Sequence, residues 1–266
     1  MSERVAIVTG AGRGIGAATI AALAADGWHL VALDRAEDDP RLPYPLASPA
    51  DLEAAVAAAR EGAAAGAEVV PLRGDAADEA TLAQALAAAE ELGPFEAIVA
   101  TAGAIAGGVP AWELPAEQQA AVLEVNLLAT IAAARIAVPA LLRRRQPRAG
   151  RYVALASAAA FRGMPGLASY SAAKAGVGGF VRGLAADLRG TGITANAVAP
   201  GSTRTPLLDE SARLYDLGSA EEFATQQPLE RLIEPAEVAA AIAWLASPGA
   251  AAVTGTVLSV DGGLSL

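Results

Sequence analysis

Seven short apolar runs, separated by stretches long enough for helices, limit most strongly how this chain can fold. They are Val5–Thr9, His29–Asp34, Glu68–Leu72, Ala97–Thr101, Arg151–Ser157, Ile193–Ala199 and Val257–Val260. Most are continuously apolar rather than alternating, as in strands buried on both faces of a parallel sheet. Parallel neighbours need crossovers, and helix-length crossovers imply a doubly wound sheet with right-handed connections. The expectation is one Rossmann-type α/β domain over residues 1–266: a seven-stranded parallel sheet with helices on both faces. A chain of this length buries a core without staples, and no Ser/Gly run or charge block reads as a linker.

Composition removes several functions. There is no cysteine, so disulfides and thiolate metal sites are excluded. His29 is the single histidine, which argues against a histidine metal site or a Ser-His-Asp triad; before a strand it reads as structural or exposed. No metal is expected. The formal charge of −10 argues against nucleic acid or an anionic membrane as partner. Arg143, Arg144, Arg145, Arg148 and Arg151 form a basic cluster, read as a solvated helix end, where cations suit the carbonyl dipoles. The apolar stretch Gln119–Leu142 carries Glu124, Asn126, Arg135 and Pro139, which argues against a membrane span. The chain opens into Val5-Ala6-Ile7-Val8, a strand and not a signal peptide, and a cytoplasmic protein is expected.

Two helices are punctuated. Ser48-Pro49-Ala50-Asp51 offers an N-cap, a proline at the first helical position and an acid in the first turn, with Gly66 marking the end. The next helix runs from near Asp78 to Gly93. Between them and the second strand lies an irregular insertion, residues 36–47, stiffened by Pro40, Pro43 and Pro45. It leaves the carboxyl end of a strand, where such sheets bind ligands. It reads either as a tolerated surface insertion or as a flap over a bound cofactor, with Tyr44 best placed to cover a ring or ribose.

Thr9-Gly10-Ala11-Gly12-Arg13-Gly14-Ile15-Gly16 follows the first strand and opens a helix. Gly10, Gly14 and Gly16 let the backbone approach a pyrophosphate, and the helix N-terminus offers free amides to that anion. Asp34 ends the second strand; a carboxylate there accepts hydrogen bonds from ribose hydroxyls and repels a 2′-phosphate, favouring NAD over NADP. Arg13 and Arg35 pull the other way, since either could neutralise that phosphate. Asp75, with Ala76 after it, closes the third strand and meets the adenine or caps the following helix.

Tyr170 and Lys174 stand four residues apart on one helix face. A phenol is a poor base near neutrality, and a neighbouring cation lowers its pKa. The phenol then takes a proton from an alcohol or returns one to a reducing carbonyl. Lys174 is the only lysine among nineteen basic residues; a compact ammonium at this point is not replaceable by a guanidinium fork. Asn126 and Asn196 are the only asparagines.

Together these residues resemble the short-chain dehydrogenase/reductase family over essentially the whole chain. The resemblance implies that Tyr170 is the general acid/base, that Lys174 tunes it and holds the nicotinamide ribose, that Ser157 bonds the substrate oxygen, and that Asn126 positions a water in a proton relay. Ala102, Gly103, Pro200, Gly201, Thr203 and Thr205 would line the cofactor, and Val260-Asp261-Gly262-Gly263 matches the C-terminal signature. A homotetramer is implied as well, built from the helices around Asn126 and Tyr170. One motif departs: Ala100-Thr101-Ala102-Gly103 stands where the family usually has asparagine before Ala-Gly, which puts a strand-tying hydrogen bond in doubt. Pro43–Leu52 is similar to the insertion of a subgroup that includes carveol-dehydrogenase-like and mycofactocin-coupled enzymes. That likeness implies firmly held NAD, recycled in place by an external redox carrier.

The leading reading is an alcohol dehydrogenase or ketone reductase acting on a small hydrophobic alcohol or ketone. The alternatives are a 3-oxoacyl carrier-protein reductase using NADPH and, from another class, a non-catalytic dinucleotide sensor. The substrate is expected among Ala104–Pro110, Ala158–Leu167 and the region 202–228, against Ile105, Trp112, Phe161, Met164, Leu207 and Leu208.

Overall fold

The apolar runs do become strands. In a computed structural model describing residues 4–266, these are β1 Val5–Thr9, β2 His29–Asp34, β3 Val69–Arg73, β4 Phe95–Ala100, β5 Arg151–Leu155, β6 Thr194–Pro200 and β7 Val257–Val260. They form one sheet in the order β3-β2-β1-β4-β5-β6-β7, with every neighbouring pair parallel. The order reverses between β1 and β4, and the crevice at their carboxyl ends is where such sheets place a ligand.

Alternate strand residues feed two cores. Ala6, Val8, Leu30 and Ala32 pack under α1 Gly14–Ala25, α2 Pro49–Glu61 and α8 Pro235–Ala246. Val5, Ile7, Val31 and Leu33 face the other way, toward α3 Glu79–Leu92, α5 Ala129–Arg143 and α6 Ala168–Asp187. The two-residue period of a strand thus explains why continuously apolar runs were needed: both faces are covered.

The expected caps form, with one shift. Ser48 and Asp51 make a reciprocal capping box, and Asp78 accepts the Ala80 and Thr81 amides. Helix α2 ends at Gly62, however, not at Gly66; Gly66 has φ 87° and shapes the turn into β3. The basic cluster also divides. Arg148 donates to the Leu142 and Arg144 carbonyls at the end of α5, as a helix-end cation should. Arg151 instead lies in β5, buried, with its guanidinium on the Gly150 and Ser247 carbonyls, so it is not part of a solvated face.

Helix α4 Ala116–Leu123 runs through a π-turn, Glu124–Leu128, into α5. The whole, Ala116–Arg143, is one helix long and apolar enough to cross a membrane, and half of its most apolar window is buried within the domain. The π-turn carries Asn126, and such bulges accumulate at functional positions.

Candidate active site

The glycine turn is sterically forced. Gly10 has φ 67°, and a Cβ there would lie 2.7 Å from the Ala102 backbone; a Cβ on Gly16 would lie 1.9 Å from the Gly10 carbonyl oxygen. Helix α1 begins at Gly14 with no side-chain cap and no acid in its first turn. Its first amides therefore have no protein acceptor from a cap, which is the arrangement that suits an anion. A cavity opens there, lined by Gly10, Arg13, Gly14, Ile15, Gly16, Asp34, Asp75, Ala76, Ala102, Gly103, Asn126, Tyr170, Lys174 and Thr205. These are most of the residues expected at a dinucleotide. Pro200, Gly201 and Thr203 line a second cavity beside it.

At the adenosine end, both Asp34 oxygens accept backbone amides, from Gly12 at 2.8 Å and Ala36 at 2.9 Å. The carboxylate is thereby fixed in orientation, with lone pairs left toward the cavity. Of the two arginines that could counter it, Arg35 is bonded to Asp39 at 2.9 Å and lies 3.8 Å from Asp75. Arg13 has no ion-pair partner among the described residues. Asp75 is not the cap of α3; Asp78 is, and Asp75 accepts the Ala77 amide at the cavity wall.

The insertion does not do what its position suggests. Leu46 and Ala47 line the cofactor cavity. Tyr44 does not cover a ring there: its hydroxyl accepts the buried Ile105 amide at 2.9 Å, and its ring packs with Leu42, Ile105, Leu167 and Tyr170. Burial raises the Tyr44 pKa to about 12, which keeps it neutral. Asp39, buried, gathers Arg35 and Arg41, and Arg41 also pairs with Glu124 of the π-turn. The arginine hydrogen bonds hold Asp39 well below the usual carboxylate range. The segment is a strut from the adenosine side to the substrate side. Single-sequence patterning could not show this, because Ile105 lies 61 residues from Tyr44.

The remaining catalytic candidates meet at the wall between the cavities. Tyr170 and Lys174 occupy the first turns of α6; the ammonium donates to the Leu155 carbonyl at 2.8 Å and stands 5.7 Å from the Tyr170 ring centroid. A Cβ on Gly103 would be 3.2 Å from Asn126 Oδ1 and 3.8 Å from Lys174 Nζ, so all three converge. Asn126 donates to the Ala104 and Val122 carbonyls, while its Oδ1 is buried without a partner among the described residues. A buried acceptor left unpaired marks a place for a water or a ligand group. Ser157 lies outside β5, where it caps the short turn Ala158–Ala160, and its hydroxyl is close enough to pull the Tyr170 pKa down.

The electrostatics correct one expectation. Burial raises Tyr170 to about 12, outweighing Ser157, and burial lowers Lys174 to about 7. Lysine does not bring this phenol down here, because both groups are desolvated and each charged form is penalised. Thr101 resolves another doubt: its hydroxyl donates to the Thr9 carbonyl, and the Ala102 amide donates back to the Thr9 hydroxyl at 3.3 Å. A short hydroxyl therefore ties β4 to β1 without an amide.

The second cavity, about 410 Å³, is lined by Ser157, Tyr170, Ile105, Met164, Leu207 and Leu208 among others. It shares Ile15, Leu155, Tyr170, Thr205 and Leu207 with the first. Trp112 and Phe161 are not in it; they are 84% and 46% exposed. Its outer wall is α7 Pro206–Leu214 with Tyr215 and Phe223, and Tyr215 bonds the Pro165 carbonyl at 2.7 Å. Two residues the sequence did not flag hold this region. Gln227, buried, accepts the Ser202 amide at 2.9 Å and fills the space beside Gly201. Arg162 reaches the Leu264 carbonyl at 2.8 Å. Asn196 is structural, linking β6 to the Val253 carbonyl and the Thr256 amide.

A glycine turn without an acidic helix start, a fixed carboxylate at the second strand and a tyrosine–lysine pair between two cavities define a dinucleotide-dependent oxidoreductase. The comparisons agree. The family model described as enoyl-(acyl carrier protein) reductase matches residues 10–265. The cis-4-hydroxycyclohexanecarboxylate dehydrogenase of Sinomonas cyclohexanicum is 37% identical, over 98% of this chain and 96% of its own. Carveol dehydrogenase from Mycobacterium avium, solved with NAD, superposes with TM-score 0.91 at 27% identity, covering 99% and 98% of the chains. Actinorhodin polyketide ketoreductase, solved with NADPH, gives TM-score 0.86 at 31% identity, covering 100% and 99%. The chain belongs to the short-chain dehydrogenase/reductase family.

Proposed function

We propose that the protein interconverts a secondary, hydrophobic alcohol and its ketone with NAD. The observation that carries this reading is Tyr170 on the wall common to a dinucleotide-shaped cleft and a largely apolar cavity, with Ser157, Lys174 and Asn126 around it. When bound, the dinucleotide accepts or donates the hydride. In oxidation Tyr170 takes the hydroxyl proton of the alcohol, while Ser157 holds that oxygen and pulls the phenol's pKa down. In reduction the same phenol returns the proton. Asp34 would hold the adenosine ribose, Gly14 to Gly16 the pyrophosphate, and Lys174 the nicotinamide ribose.

Asp34 and the engagement of Arg35 by Asp39 support NAD over NADP. A 3-oxoacyl carrier-protein reductase remains the second reading, favoured by the ketoreductase among the similar structures. The reading extends to firmly held NAD recycled in place by an external carrier, as the likeness of Pro43–Leu52 to the mycofactocin-coupled insertion implies. We extend the reading to a cytoplasmic homotetramer assembled through the helices around Asn126 and Tyr170. The test is a panel of secondary alcohols and 3-oxoacyl thioesters assayed with NAD and NADP, with and without an artificial electron acceptor. Turnover confined to NADPH and thioesters would replace this reading by the second.

A further inference from the structure

The second cavity has apolar walls interrupted by hydroxyls and the Gln226 amide, and it carries one formal charge. Ile105, Met164, Leu208, Leu217 and Phe223 are among its apolar lining, no aspartate or glutamate lines it, and Arg162 is its one formally charged lining residue. Arg162 is exposed, so its head group stands where the cavity meets solvent. Among the described residues no carboxylate forms an ion pair with Arg162. The one hydrogen bond that Arg162 makes runs from Nη1 to the Leu264 carbonyl at 2.8 Å. That bond pins the head group by one donor and leaves four of its five N–H groups, including a parallel pair of the kind that grips a carboxylate.

We propose that the substrate is an apolar hydroxy acid or keto acid whose carboxylate binds Arg162 while its reacting oxygen lies at Tyr170 and Ser157. This rests on the reading that Tyr170 handles that oxygen, since both ends line the same cavity. Its volume, about 410 Å³, is within the range of small-molecule sites, so a ring-sized body fits between the two poles. The single cation selects the class of anion. One guanidinium neutralises one carboxylate, and its free parallel donors match the two carboxylate oxygens. Arg162 is then a specificity-determining residue that fixes which end of the substrate enters first.

The test compares matched acid and neutral compounds on the NAD-loaded protein. Turnover is measured with a hydroxycyclohexanecarboxylate and its methyl ester, and binding by calorimetry with cyclohexanecarboxylate and cyclohexanecarboxamide. The wild type should favour the acid over the ester by about tenfold or more in kcat/KM, in line with a charge-assisted hydrogen bond. Arg162→Gln should bring that ratio to about one and abolish carboxylate binding at unchanged melting temperature, and Arg162→Lys should recover part of it. Equal use of acid and ester by the wild type overturns the proposal, as does a loss in Arg162→Gln that is the same for both. A preference for an acyl thioester of coenzyme A over the free acid also overturns it. If no alcohol in any form is oxidised, the functional reading fails, and the calorimetric pair still decides whether Arg162 is a carboxylate site.

Discussion

The two cavities on either side of Tyr170 are built from different materials. The cofactor cleft takes four glycines and the carboxylates of Asp34 and Asp75 from the ends of β1 to β4, with Asp34 locked by two amides. The substrate cavity gathers apolar side chains from segments as far apart as Ile105 and Leu264. A backbone-walled cleft recognises a ligand by conformation that few residue types permit, so its sequence is constrained and short motifs report it. A side-chain wall can be made of many apolar residues, so its sequence says little about what it holds.

The sharpest way to break the contrast is at the shared wall. Tyr170→Phe keeps the ring that packs with Tyr44 and Leu167 and removes the proton carrier. Turnover should fall at least about a hundredfold, the lower bound for a positioned acid–base group, while a fluorescence titration finds NAD binding unchanged. Retention of more than about a hundredth of the rate would mean that the proton leaves by another route. Asp34→Ala acts on the cleft alone. It should weaken NAD by about tenfold, the scale of a charge-assisted hydrogen bond, relax discrimination against NADP, and leave the alcohol KM at saturating cofactor where it was. A wild-type preference for NADP would instead make Arg13 a phosphate ligand.

Tyr44 lines neither cavity but packs on Ile105, Leu167 and Tyr170 of the second, and Tyr44→Phe tests whether that support matters. The change leaves the buried Ile105 amide without its acceptor, a cost of about 1–3 kcal/mol. The alcohol KM should rise roughly fivefold or more, the kinetic equivalent of about 1 kcal/mol, with NAD affinity unaltered, and Ile105 should exchange its amide hydrogen faster. Unchanged KM and exchange would reduce the strut to packing. The smallest effect is on stability. Lys174 titrates at about 7 in the cofactor-free fold against a usual 10.5, so between those values the unfolded chain holds a proton that the folded one has released. Stability therefore rises with pH across that window. The melting temperature of Lys174→Met should exceed that of the wild type most below pH 7, and the gap should close toward pH 10.5. A gap independent of pH would show that the lysine keeps its proton in the fold.

The sequence by itself determined the sheet, because strands buried on both faces must be continuously apolar and seven such runs were visible. It also determined the cleft and the Tyr170–Lys174 pair, because a forced glycine turn, a strand-end carboxylate and a one-turn spacing are local patterns. It misplaced the end of α2, since a glycine after a helix marks a stop without saying which of Gly62 and Gly66 is used. It misread Arg151, since an arginine following an exposed helix end resembles its neighbours until the strand buries it. Trp112 and Phe161 were assigned to the cavity on hydrophobicity, which does not encode direction. Only the tertiary structure decided where Tyr44 points, that Arg162 lines the substrate cavity without a carboxylate partner, and that burial holds Tyr170 and Lys174 apart in pKa. Each of these depends on contacts between segments far apart in the chain, or on exclusion of water by many residues at once, and no local spacing carries that information.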